Sequence, residues 1–172
     1  LRAAEVRATV KTKYRNPAGI AAAVSPNYVI TPALELIAEA VERVLNSRRK
    51  INLLVTMPPQ EGKSNLCSVW TPIRALQLNP NRRIILATYA QPLADMHSRT
   101  AREVIGTHGA GITDPLTGLA VEDKIGLRLA QGANKISFWS VEGGAGGLLA
   151  ARRLTNGSAI ALHCRRAPTI KA

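Results

Sequence analysis

Ile51-Asn52-Leu53-Leu54-Val55-Thr56-Met57-Pro58-Pro59-Gln60-Glu61-Gly62-Lys63-Ser64 joins an apolar run to a proline- and glycine-containing turn. Residues 51–56 form a short apolar run, which reads as a strand buried on both faces, as in a parallel sheet. Residues 57–64 carry two prolines and a glycine and read as a turn. A helix is expected directly after it, with Leu66, Val69, Trp70, Ile73 and Leu76 on one face. Pro72 falls inside that helix and is expected to kink or divide it. Gly62-Lys63-Ser64 thus sits where a strand ends and a helix opens. Backbone N–H groups in such a turn and at the helix N-terminus point at phosphate oxygens. Lys63 would reach the β- and γ-phosphates as a point charge, and the Ser64 hydroxyl would ligate Mg²⁺. The plain alternative is an ordinary strand-to-helix turn with an exposed lysine. The usual first glycine of a phosphate-binding loop is here Met57.

Upstream, Thr31-Pro32 opens a helix, with threonine as N-cap and proline at the first helical position. Leu34, Ile37, Ala38, Val41, Val44 and Leu45 give it one apolar face, and its charges run from acidic to basic as the helix dipole favours. Residues 1–30 read as a basic, mostly irregular arm with some helix-compatible sequence. Downstream, residues 84–89 (IILATY) read as a second buried strand and residues 92–105 as a third helix. Residues 106–135 look loose and glycine-rich. Residues 136–141 (ISFWSV) alternate as a strand does, and a glycine-rich turn and a basic tail follow. This order implies an α/β fold with a parallel sheet and flanking helices. Trp70 and Trp139 are expected in the core. His97, His108 and His163 lack metal-ligand spacing and read as structural or solvated. Asp114, Glu122 and Asp123 read as surface carboxylates.

The chain has 172 residues, 23 Lys+Arg and 11 Asp+Glu, a formal net charge of +12. That surplus favours a polyanionic partner, of which nucleic acid is the commonest, because neutralised phosphates release counterions. Arg48, Arg49 and Lys50 form one cluster and Arg82 and Arg83 a second, whose partner the sequence does not choose among DNA, another subunit and water. Aromatics are only 3%, which argues against recognition by base stacking. Two cysteines, Cys67 and Cys164, make no disulfide scaffold, so a reducing, cytoplasmic setting is expected. No apolar run is long enough to span a bilayer.

At this point the residues resemble a known family. PPQEGKS after INLLVTM resembles the variant Walker A motif of phage terminase large subunits. The upstream ITPALELIAEAVERVL, the downstream RRIILATYAQPLADMHSRTAREVI and ISFWSVEGGAGGLLA resemble, in the same order, the family's preceding helix, next strand and helix, and Trp- and Gly-rich hairpin. The resemblance spans roughly residues 28–150. It implies a P-loop ATPase that binds ATP and Mg²⁺ and drives double-stranded DNA into a procapsid. It also implies a small terminase subunit and a portal protein as partners, a homo-oligomeric ring, and a bacterial host cytoplasm. The candidate nucleotide-binding residues are Gln60, Glu61, Gly62, Lys63, Ser64 and Asn65, with Ser64 as the metal ligand. Glu61 as a catalytic base is disfavoured, since a side chain at that position of such a loop usually points to solvent.

The sequence departs from the family in three places. Gln60 stands where the family usually has arginine, and no glutamine precedes residue 60. Residues 143–172 hold no carboxylate, although such a motor needs an Asp for Mg²⁺ and a Glu to activate water. Residues 158–162 (SAIAL) have the apolar character of the strand that should carry them, but His163, Cys164, Arg165 and Arg166 follow. The expectation is an incomplete P-loop domain over residues 31–150, with residues 151–172 a basic tail out of family register through truncation, a frame change or domain loss. The catalytic carboxylate is left unassigned. The competing readings are another P-loop DNA-handling ATPase, of helicase or transposition type, and a non-enzymatic basic fragment that binds nucleic acid.

Overall fold

A computed structural model describes residues 12–152 and a strand at Ala161–Arg165. The first helix, α1 (Pro17–Val24), begins at Asn16, whose side chain accepts the Gly19 N–H at 3.0 Å and caps the helix. It buries Ala18, Ile20, Ala21 and Val24, so this part of the expected irregular arm is core. The second helix, α2 (Pro32–Asn46), starts where the sequence places it. Thr31 Oγ1 accepts the Leu34 N–H, and Leu34, Ala38, Val41 and Leu45 form its buried stripe. Asn16 Nδ2 donates to Glu35 Oε1 at 2.8 Å and ties the two helices together.

Residues 51–56 overturn the expectation made of them. They form no strand, and Ile51, Leu53 and Leu54 are exposed, Leu54 by 84%. A buried strand needs a neighbour to accept its ladder bonds, and this segment pairs with none among the described residues. The helix after it runs from Lys63 to Leu78 in three parts: α3 (Lys63–Asn65), a π-helical turn over Leu66–Trp70, and α4 (Thr71–Leu78). The division expected at Pro72 is this π-turn. Proline has no N–H to give, and the ladder widens just before it, with the Thr71 N–H reaching back five residues to Leu66 O. Thr71 Oγ1 donates to the same carbonyl at 2.9 Å. Residues 71–77 are buried all round the helix, so α4 is a central helix, packed on α1 and α2.

The strand β1 (Arg83–Thr88) leads into the long helix α5 (Gln91–His108). After a loop come β2 (Leu129–Lys135), β3 (Phe138–Val141), β4 (Gly147–Arg152) and β5 (Ala161–Arg165). Ile136 and Ser137 lie in the turn between β2 and β3, not in a strand, and β2 occupies a stretch read as loose. The sheet order is β2-β3-β4-β1-β5. β1 and β4 are parallel, and the other neighbours are antiparallel. The sheet is therefore mixed, not parallel. Helix α5 is the crossover that allows the parallel pair, and it packs on β4 and β1. β1 is covered on one face only. Ile84, Leu86 and Thr88 are buried, whereas Ile85 is 41% exposed, as is Leu149 of β4 by 43%.

Trp139 and Trp70 are in the core, as their spacing predicts. Trp139 donates from Nε1 to Ser98 Oγ at 3.0 Å, and Ser98 Oγ donates onward to Ile136 O at 2.6 Å, which locks α5 to the hairpin. A second buried polar group joins the helices. Arg74 reaches Glu42 with two bonds, Nε to Oε2 at 3.0 Å and Nη2 to Oε1 at 2.9 Å.

Candidate phosphate-binding turn

The turn at residues 59–62 owes its shape to two left-handed residues. Gln60 has φ 65° and Gly62 φ 81°. Gln60 is the one non-glycine with positive φ among the described residues, a conformation that costs such a residue about 1 kcal/mol or more. At Gly62 a Cβ would also lie 3.3 Å from Leu34 Cδ1, so both conformation and space favour glycine there. Gly62 caps α3, and its carbonyl accepts the Leu66 N–H at 3.0 Å. The first N–H groups of a helix have no acceptor within it, so those of Lys63, Ser64 and Asn65 face the turn's mouth.

Lys63 folds back over the turn. Its Nζ donates to Pro58 O at 2.9 Å and closes the loop with a positive charge at its centre. Lys63 and Ser64 are half-buried, whereas Gln60, Glu61 and Asn65 are exposed. The structure therefore keeps the six sequence-predicted residues together on one turn and the helix opening from it. Glu61 points into solvent.

Cys67 lies one helical turn below Lys63. Burial pushes its thiol pKa up, and the Lys63 ammonium acts against that. Tyr28 is the residue that sequence spacing does not bring here. Its phenol pKa is raised, chiefly by burial and in lesser part by Cys67. Its ring meets Trp70 edge-on, with centroids 6.3 Å apart. Tyr28 Oη and Trp70 Nε1 are buried without a hydrogen-bond partner among the described residues. Tyr28 lies 35 residues before Lys63 in the chain, and no periodicity links the two.

The donor set suits a nucleotide triphosphate with Mg²⁺ in its phosphate half: a lysine, a hydroxyl and helix-terminal amides. Mg²⁺ keeps several waters and takes few protein ligands, so one hydroxyl is a fitting contribution. Among the described residues no three His, Cys, Asp or Glu side chains gather as a metal cage. The carboxylates read as surface groups have local partners. Asp114 is half-buried, and the Leu116 N–H and Thr117 hold its pKa below the usual range. Asp123 Oδ1 accepts the Ile125 and Gly126 N–H groups at 3.0 and 2.6 Å. Glu122 faces Lys13 at 3.7 Å. His97 is buried and His108 half-buried, and burial lowers both pKa values. The side chain of His163, the segment before β5 and residues 166–172 lie outside the described residues, and with them most of the expected acidic-strand position.

Comparison with protein-family models, with curated proteins and with solved structures finds no match to the chain. No described helix is long and apolar enough to cross a membrane.

Proposed function

We propose that this chain carries the nucleotide-binding turn of a DNA-packaging ATPase of the terminase large-subunit kind. The observation that carries the reading is Lys63, held over a turn shaped by left-handed Gln60 and Gly62 at the opening of a helix. In this reading the α3 amides and Lys63 hold the β- and γ-phosphates, and Ser64 faces the metal. Bound Mg²⁺ supplies charge neutralisation between the phosphates. Lys63 would exchange its bond to Pro58 O for phosphate oxygens when a nucleotide is bound. The partners proposed are double-stranded DNA, a small terminase subunit, a portal protein and further copies in a ring, in a bacterial cytoplasm.

Two observations favour a restricted form of this function. Residues 51–56, the strand that should brace the turn, stand outside the sheet, and residues 143–172 contain no carboxylate to activate water. The proposal is therefore nucleotide binding by this chain, with hydrolysis left unassigned. Its rival is a basic fragment that binds nucleic acid and no nucleotide. A titration with a fluorescent ATP analogue, with and without Mg²⁺, separates them. Saturable, Mg²⁺-dependent binding by the parent, lost in a folded Lys63→Ala variant, is the expected result. No binding by a chain that circular dichroism shows to be folded would overturn the proposal and leave the rival.

A further inference from the structure

We infer that a second anion-binding surface, separate from the Lys63 turn, lies at the C-terminal end of α2, and that its partner is the phosphate backbone of a nucleic-acid duplex. This deepens the proposed motor reading by naming the face that meets DNA.

Two basic clusters more than thirty residues apart in sequence are brought together by one side chain. Arg82 Nη2 donates to Leu45 O, in the last turn of α2. Arg48, Arg49 and Lys50 follow that turn directly, and all three are exposed, as is Arg83. Ser47 Oγ accepts the Arg49 N–H at 3.0 Å and fixes the chain where it leaves the helix. On the other side the loop before β4 is fastened to the same corner. Gly146 N–H donates to Pro80 O at 2.9 Å, Gly147 N–H to Arg82 O at 3.0 Å, and Ala145 N–H to Asn81 Oδ1 at 2.9 Å. Arg82 is thus a brace. Its Nη1 is buried with no hydrogen-bond partner among the described residues.

Between Glu42 and Asp95 the sequence carries Glu61 as its one acidic residue. Residues 43–60 carry Arg43, Arg48, Arg49 and Lys50 and no Asp or Glu. Residues 62–94 carry Lys63, Arg74, Arg82 and Arg83 and again no acid, and Arg74 is the member already paired, with Glu42. Glu142, in the adjoining loop, faces Arg128 at 3.8 Å. The bland explanation is that these cations only complement the negative end of the α2 dipole. That effect fades within one turn, and Arg82 already serves Leu45 O.

A duplex fits better than a point anion. Arg48, Arg49, Lys50 and Arg83 are four exposed cations on two joined segments, which suits an extended polyanion. The surface is dominated by arginine, whose planar fork matches phosphate oxygens. Leu34, against Gly62, and Leu45, under Arg82, lie about 16 Å apart along the axis of α2, taking 1.5 Å per residue. Nucleotide and duplex would therefore sit at opposite ends of one helix and not compete for the same charge.

The test is fluorescence anisotropy with a labelled 20-base-pair duplex and the full chain, over a salt series. Each neutralised phosphate contributes about −0.9 to the slope of log K against log salt. Replacing Arg48, Arg49 and Lys50 together by alanine is expected to reduce the slope by about 2.7 and to weaken binding at 100 mM salt by about tenfold or more. Arg83→Gln alone should reduce the slope by about 0.9, which keeps the test intact if the triple variant fails to fold. Lys63→Ala should leave duplex binding unchanged. If Lys63→Ala abolishes nucleotide binding while the duplex behaves as described, both readings stand. If the parent binds duplex but no nucleotide, the motor reading falls and this surface survives. An unchanged slope in Arg83→Gln and in a folded triple variant overturns the inference. So does a triple variant that loses phosphatidylserine vesicles yet keeps the duplex, which would make this a membrane surface.

Discussion

Glu42→Ala should be among the most damaging single substitutions in this fold. Arg74 is 4% exposed and Glu42 16%, and two near-ideal hydrogen bonds join them between α4 and α2. Removing one partner of such a pair costs about 3–5 kcal/mol, because the other charge stays buried without its compensation. A domain of this size has about 5–15 kcal/mol in total. At about 2–4 °C per kcal/mol, Tm should fall by roughly 6–20 °C. The control lies one turn away on the same helix. Arg15 and Glu39 are 2.7 Å apart, but Arg15 is 81% exposed, so Glu39→Ala should cost about 1 kcal/mol or less. Urea unfolding of the two variants beside the parent measures both numbers. Replacing Glu42 and Arg74 together by methionine should recover most of the loss, since an apolar pair of similar volume carries no desolvation cost. A Glu42→Ala variant no less stable than Glu39→Ala would refute the reasoning, for it would mean that water reaches the pair.

Ser98→Ala should cost about 2–4 kcal/mol in the same assay, because it leaves both Trp139 Nε1 and Ile136 O without their bond. Gly62→Ala should lose about 1–2 kcal/mol from its left-handed backbone, and it should weaken nucleotide binding by more than its stability loss explains, as a titration at fixed folded fraction would show. Stability should also fall as pH drops below about 6.5. Burial lowers the pKa of His97 in the fold, so the unfolded chain binds the proton more readily and gains ground there. His97→Leu should flatten that dependence in urea titrations between pH 7.5 and 5.5, and an unflattened slope would assign it to other groups.

What the sequence made legible was local. The α2 boundaries follow from Thr31, Pro32 and a four-residue apolar stripe, each of which acts within a few residues. Pro72 announced a break in its helix because the missing N–H is a property of proline alone; its resolution as a π-turn depends on the Leu66 carbonyl and the Thr71 hydroxyl together. The turn at Gly62 was legible for the same reason, since a glycine between a polar turn and an apolar helical face has few other uses. Long-range choices were not legible. Nothing local to residues 129–135 (LAQGANK) marks a strand; that segment is β2 because it pairs with β3 across the tight turn at residues 136–137. Tyr28 meets the Trp70 ring edge-on, a contact that no spacing encodes. Arg82 looked like half of a surface cluster, and only the position of Leu45 O makes it a brace.

Residues 51–56 show why an apolar run does not by itself make a strand, and they permit a sharp test. β1 has two edges, one paired with β4 and the other with β5, so this run has no edge of β1 to join. Most of its side chains stay exposed, as do Ile85 of β1 and Leu149 of β4. Leu54, at 84% exposure, should then accept Leu54→Ser with a stability change within about 0.5 kcal/mol. Leu86 of β1 is fully buried, and Leu86→Ala should cost about 2–5 kcal/mol. The two urea curves, run side by side, distinguish a solvated run from a core strand. A loss of about 2 kcal/mol or more from Leu54→Ser would place residues 51–56 inside a sheet. The turn that follows would then be braced by a strand as well as by Leu34, and the case for hydrolysis would reopen.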